Sequence, residues 1–128
     1  MSEPVWLSTD IVKAVDSQQI AQHGGADGVR DDGSLESALA RPRQKRAYGD
    51  PTIPEMAAAY AFGIARNHPF VDGNKRTALM AAYVFLRLNG FVLDAPEVDA
   101  AVTFRALAAG EIDENQLADW LKANAKPA

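Results

Sequence analysis

The chain is 128 residues long, 48% hydrophobic and 23% charged, with a formal net charge of −4 and no cysteine. That length suits a single domain over residues 1–128, large enough to bury a core without disulfides or a structural metal. Lack of cysteine excludes disulfide frameworks, iron–sulfur clusters and cysteine-ligated zinc; the acidity argues against coating nucleic acid, and the absence of a long apolar run points to a cytoplasmic, not a membrane, protein.

Helix signals run along the chain and strand signals are nearly missing. Ser8 is an N-cap for a first helix with Ile11, Val12, Val15 and Ile20 on one face, stopping at Gly24-Gly25. A turn-rich loop covers residues 26–33, and Ser34 is expected to cap a short helix, Leu35 to Ala40, ended by Pro42. The basic stretch from Arg43 to Arg46 then leads into a loop at Tyr48-Gly-Asp-Pro51. Pro54 opens a third helix to about Asn67, with Met56, Tyr60, Phe62 and Ile64 as its apolar positions. A fourth runs from near Asn74 to Gly90. Leu79, Ala82, Tyr83, Phe85 and Leu86 make it apolar on most sides, so it is expected to be the central buried helix. Phe91-Val-Leu93 is a short extended piece, Pro96 opens a fifth helix to Gly110, and Asp113 with Gln116 forms a capping box for a sixth carrying Leu117, Trp120 and Leu121. The expected fold class is all-α, a compact bundle of about six helices.

The positive charge is clustered despite the net acidity. Arg41, Arg43, Lys45 and Arg46 form one group, and Arg66, Lys75 and Arg76 flank the segment His68-Pro-Phe-Val-Asp-Gly-Asn-Lys-Arg-Thr-Ala-Leu79. Local basic groups on an acidic chain suit a small anionic ligand. In that segment one helix ends at His68 and the next begins at Gly73, Asn74, Lys75 and Arg76, where open backbone N–H groups and the helix dipole favour phosphate. Asp72 supplies an oxygen ligand suited to Mg²⁺ on phosphate oxygens. Histidine is the side-chain type that exchanges protons near neutral pH, so His68 is the candidate base. Phe70 is expected to point into the core and pin the loop. A base, a metal ligand and an anion hole within nine residues are what transfer of a phosphate-containing group to a hydroxyl requires.

The string HPFVDGNKRTAL resembles the motif of the Fic/Doc family, whose longer form reads H-P-F-x-x-G-N-G-R-x-x-R. GVRDDGSLESALARP upstream and FLRLNGF downstream are similar to the death-on-curing (Doc) branch, so the resemblance covers most of the chain. It implies the Fic/Doc (Fido) fold and a toxin of a toxin–antitoxin pair that uses Mg-ATP to modify a protein hydroxyl. It makes His68 the base and Asp72 the Mg²⁺ ligand, with Asn74 as a further catalytic residue. Gly73, Asn74, Lys75 and Arg76 would hold the nucleotide phosphates, and Arg66, which lies outside the motif at the end of the preceding helix, could face the same phosphates. Two positions depart from the longer motif: Lys75 replaces a glycine and Leu79 replaces the second arginine. Doc-type members share both departures, which implies reversed ATP and transfer of the γ-phosphate, with AMP transfer as the alternative. The resemblance further implies a threonine of elongation factor Tu as target, inhibition of translation, and control by an antitoxin resembling the prevents-host-death (Phd) protein.

Residue by residue there are plainer readings. His68 could cap or pack, Asp72 could cap the fourth helix, and Arg66 could pair with a surface carboxylate instead of phosphate. Lys75 and Arg76 oppose the helix dipole, which makes a purely structural role uncomfortable. Arg43, Lys45 and Arg46 read as a solvated face, with a flap touching nucleotide or target as the alternative, His23 as a helix-terminal residue, Trp6 and Trp120 as packing residues, and Arg30 and Asp31 as turn residues without a site role. The whole domain could also be a catalytically silent binding module, or a helical DNA-binding protein, which the acidity disfavours.

Overall fold

Four of the six helices begin where a side chain caps the first turn, and the fourth and fifth have no such cap. In the computed structural model, which describes residues 3–128, helix α1 (Thr9–His23) is capped by the Ser8 hydroxyl, which accepts from the Ile11 amide at 3.1 Å. Helix α2 spans Asp32–Ala47. Helix α3 (Ile53–Asn67) starts with Pro54 inside a reciprocal Thr52/Glu55 capping box. Helix α4 is Asn74–Leu88, α5 is Glu97–Ala108 after Pro96, and α6 is Glu114–Asn124 with the Asp113/Gln116 capping box. Strands β1 (Phe91–Leu93) and β2 (Ala125–Pro127) pair antiparallel, Val92 opposite Lys126. The all-α class and the six helices are as the sequence indicates. β2 carries no sequence signal of its own and exists because β1 offers it a partner.

Helix α3, not α4, is the centre of the bundle. Ten of its fifteen residues are buried, against six in α4, and it packs on α2, α4, α5 and α6. The reason is its run of small residues. Ala57, Ala58, Ala59, Ala61 and Ala65 leave room for neighbours on nearly every side, while α4 turns Lys75, Arg76, Arg87 and Leu88 to solvent. The closest approach is at Gly63, where a Cβ would stand 3.0 Å from the Ala38 Cα and 3.1 Å from its carbonyl oxygen.

That contact also explains why α2 outruns its expected end. Pro42 lies inside the helix, although an interior proline costs about 3 kcal/mol. Leu35, Ala38, Leu39 and Pro42 form one buried stripe, so the ring joins the surface that α3 covers. Its N-cap is Asp31, not Ser34: one Asp31 oxygen accepts from the Gly33 and Ser34 amides and the other from the Ser34 hydroxyl. These bonds hold the Asp31 carboxyl below the usual aspartate range. The basic stretch therefore lies on helix, and its side chains are engaged: Arg41 and Lys45 pair with Glu114, Arg46 lies 3.6 Å from Glu3, and Arg43 stacks on Trp6. Trp6 also stacks on Phe85, and Trp120 meets Phe104 edge-on. The buried Tyr60 hydroxyl accepts from the Leu7 amide at 3.0 Å, and desolvation raises its proton affinity.

Candidate active site

Helix α3 delivers His68 in a conformation that its residue type resists. His68 is the C-cap, with φ 47° and ψ 56°, the only left-handed non-glycine among the described residues. Helices that end this way favour glycine, and a larger side chain there costs on the order of 1 kcal/mol or more. The result is an exposed imidazole on a backbone turned sharply toward α4. Pro69 then prevents the helix from resuming.

The segment from Phe70 to Asn74 is a closed loop. Phe70 is 1% exposed and bridges to Val29, which anchors the loop in the core. The Asn74 side chain accepts from the Phe70 amide at 3.1 Å and donates to its carbonyl at 3.0 Å. Both polar ends of that side chain are thus used on the loop, so its visible work is positional. One Asp72 oxygen accepts from the Gly73 amide at 2.9 Å, and the helix that follows has no side-chain cap. Gly73 occupies the N-cap position itself with φ 77°, over Asp16 and Ile20, where a Cβ would meet Ile20 at 3.1 Å.

The first-turn amides of α4 consequently point outward without side-chain partners. His68, Val71, Asp72, Gly73, Asn74, Lys75 and Arg76 line one cleft of about 410 Å³. The structure thus brings together His68, Asp72, Gly73, Asn74, Lys75 and Arg76, while Phe70 is buried and Leu79 lines a separate groove. Arg66 is not among the cleft residues. Its guanidinium lies 5.3 Å from the Phe62 ring centre, on the side of Gly110, and Arg41 is stacked on the same ring.

Two residues not named as site residues from the sequence lie beside the cleft. Asp16 on α1 is 1% exposed and accepts from the Thr77 hydroxyl of α4 at 2.8 Å, while its second oxygen has no partner. Burial raises its proton affinity, and the carboxylates of Asp27 and Asp72 push the same way. The signal was an aspartate spaced four residues from both Val12 and Ile20, on the stripe that α1 buries. Arg30, in the turn before α2, reaches across to the end of α3 and donates to the carbonyls of Asn67 and His68.

As a donor set, the cleft offers one carboxylate for a metal, and among the described residues no cluster of three or more His, Cys, Asp or Glu is arranged to hold one. Mg²⁺ commonly binds through one or two carboxylates plus substrate phosphates and waters. Asp72 is thus the cleft carboxylate that could hold a Mg²⁺ arriving with a nucleotide, through the oxygen not bonded to the Gly73 amide.

The sequence pattern described as the Fic/DOC family matches residues 6–86. A protein from Escherichia phage P1 named "Protein kinase doc" is 40% identical over 118 residues, which is 91% of this chain and 92% of that protein. A "Toxin Doc" from Mycolicibacterium smegmatis is 50% identical over 82 residues, 61% of this chain and 62% of that protein.

Proposed function

Since the chain belongs to the Fic/DOC family, we propose that it is the toxin of a toxin–antitoxin pair and a Mg-ATP-dependent protein phosphotransferase. The observation that carries this reading is the shared cleft: His68 and Asp72 face the same space as the uncapped start of α4 with Lys75 and Arg76. The names of the two relatives, a kinase and a toxin, support it.

In this reading His68 removes the proton from a protein hydroxyl. The hydroxyl oxygen bonds to the γ-phosphorus of ATP as the bond from that phosphorus to the β–γ bridging oxygen breaks. The electron pair leaves with ADP. The first-turn amides of α4, Lys75 and Arg76 hold the phosphate oxygens in place, which is where most of the work of such a transfer lies. Mg²⁺ bound at Asp72 would neutralise phosphate charge. Lys75 occupies the cleft where the longer family motif has glycine, and Leu79 on α4 stands in place of the motif's second arginine, in a separate groove beside Ala101, Phe104 and Arg105 of α5. Both favour γ-phosphoryl transfer over AMP transfer. The target we assign is a threonine of elongation factor Tu, with translation stopped in the cytoplasm and a Phd-like antitoxin in control; these rest on the family resemblance alone.

The test is to supply ATP labelled on the α or the γ phosphate to the protein with purified elongation factor Tu. γ-Label in the factor is expected. α-Label would mean AMP transfer, and neither label, from a folded protein, would leave a binding module. General acid–base catalysis contributes about 100- to 10,000-fold, so His68→Ala, folded by circular dichroism, should lose at least that much transfer and its toxicity. A fully toxic His68→Ala protein overturns the mechanism.

A further inference from the structure

Nothing in the reaction as described explains how the exposed His68 is kept in its left-handed backbone. The backbone groups around it are engaged. The His68 amide donates to the Ile64 carbonyl at 3.2 Å, inside the helix end. Arg30 forks over the two carbonyls on either side of the His68 Cα, with Nε 2.6 Å from the His68 oxygen and Nη2 2.8 Å from the Asn67 oxygen. The Pro69 carbonyl accepts from the Arg30 and Asp31 amides at 2.8 and 3.2 Å, and Val71 donates to the Gly28 carbonyl at 3.0 Å. Asn67 is tied in turn to the Ser34 carbonyl.

We propose that Arg30 is a positioning residue for His68: its guanidinium fixes the peptides on both sides of the base and so aims the imidazole into the cleft. A helix that ends in the left-handed conformation leaves its last carbonyls in need of donors. A planar fork meets two neighbouring carbonyls at once, which a lysine ammonium does less well. The same loop carries Asp31, the cap of α2. The start of α2 and the turn at His68 are thus held by adjacent residues. Arg30 itself is not among the residues lining the cleft, so its effect passes through His68.

This inference rests on the proposed activity for its kinetic arm and on the backbone alone for its structural arm. Arg30→Met is compared with the unaltered chain by γ-phosphoryl transfer, by ATP affinity, and by the NMR coupling and shifts that report the His68 backbone. Misplacement of a reacting group by about 1 Å costs on the order of 100-fold in rate. A fall of that size in kcat is expected, with ATP affinity unchanged within about twofold because the α4 amides are untouched, and with loss of the left-handed signature at His68. Retention of that signature overturns the proposal, whatever happens to the rate. So does a loss of ATP affinity equal to the loss of rate, which a general loosening would produce. If Arg30→Met does not fold, Arg30→Lys is read by the same measurements. Should the unaltered chain transfer no phosphate, the proposed activity fails, and the His68 backbone comparison still decides the role of Arg30.

Discussion

Replacing Asp16 with asparagine should make the protein more stable at neutral pH, and by an amount that grows with pH. Asp16 is buried, one oxygen accepts from Thr77, and the other has no partner. A buried polar atom left unsatisfied costs about 1–3 kcal/mol, and more when charged. Asparagine keeps the acceptor for Thr77 and removes the charge. It leaves an unpaired amide, but one that faces the acidic surroundings of Asp27 and Asp72 favourably. The net gain is therefore about 1 kcal/mol, or about 4 °C in melting temperature for a chain this size. Its pH dependence has a definite sign. Burial raises the folded-state proton affinity of Asp16 above the unfolded value, so in the window between the two the folded state holds more protons. Its contribution to stability is then lost as pH rises through the folded value. Asp16→Asn has no such loss, so its advantage should be smallest near pH 4 and level off above the folded value. Urea unfolding of both proteins, followed by circular dichroism at several pH values from about 4 to 8, reads this directly. Adding Thr77→Val should cost about 2 kcal/mol beside the aspartate and less beside the asparagine, since bonds to charged acceptors are the stronger. An Asp16→Asn protein less stable at pH 8, or a difference that does not vary with pH, would refute the reasoning.

Three further changes probe the rest of the frame. Gly63→Ala drives a methyl into the Ala38 backbone and should cost about 1–3 kcal/mol in denaturant unfolding; an unchanged midpoint would mean α2 and α3 can separate freely. Glu114→Gln weakens the pairs that tie α6 to Arg41 and Lys45. These are partly exposed, so a loss of about 0.5–1 kcal/mol that shrinks in high salt is expected, and a salt-independent loss would point to packing instead. Asn74→Ala strips the Phe70 amide and carbonyl of their partners, which should cost about 2 kcal/mol and speed hydrogen exchange at Phe70; unchanged exchange there would show that the loop is held by the Val29 bridge.

The parts of the fold written locally were legible in the sequence. Ser8, Pro54 and the Asp113/Gln116 box mark helix starts through side chains within a few residues of the amides they satisfy. What sequence could not show depended on partners far along the chain. Pro42 reads as a stop until Gly63 brings α3 against the same stripe. Ile11 looks like a core residue and Asp16 like a surface one, yet Ile11 is 38% exposed and Asp16 is buried, because α1 meets α4 along a line through Val12, Asp16 and Ile20. The cleft residues were legible because they lie within nine positions of one another, His68 to Arg76. Arg66 has suitable charge and nearby sequence position, but the helix turns it toward Phe62. Arg30 is 38 residues from the carbonyl it binds, and no periodicity connects the two.

Helix α4 begins in a way that stability alone would not choose. An oxygen-bearing side chain at the N-cap contributes about 1 kcal/mol relative to alanine and a few tenths relative to glycine, and the sequence has one candidate on each side of that position. Asp72 spends one oxygen on the Gly73 amide, one residue too early, and Asn74 turns back to Phe70. The cap itself is a glycine, and the first turn carries Lys75 and Arg76 against the dipole. Each choice weakens the helix start, and together they leave its amides and two cations directed into the cleft beside His68. The offsetting stability lies out of the cleft, in the buried alanines of α3, the anchored Phe70 ring and the Thr77–Asp16 bond one turn along. The start of α4 is thus left without a side-chain cap because the residues able to cap it are occupied in holding the loop beside His68, which is what the proposed phosphate-binding role requires.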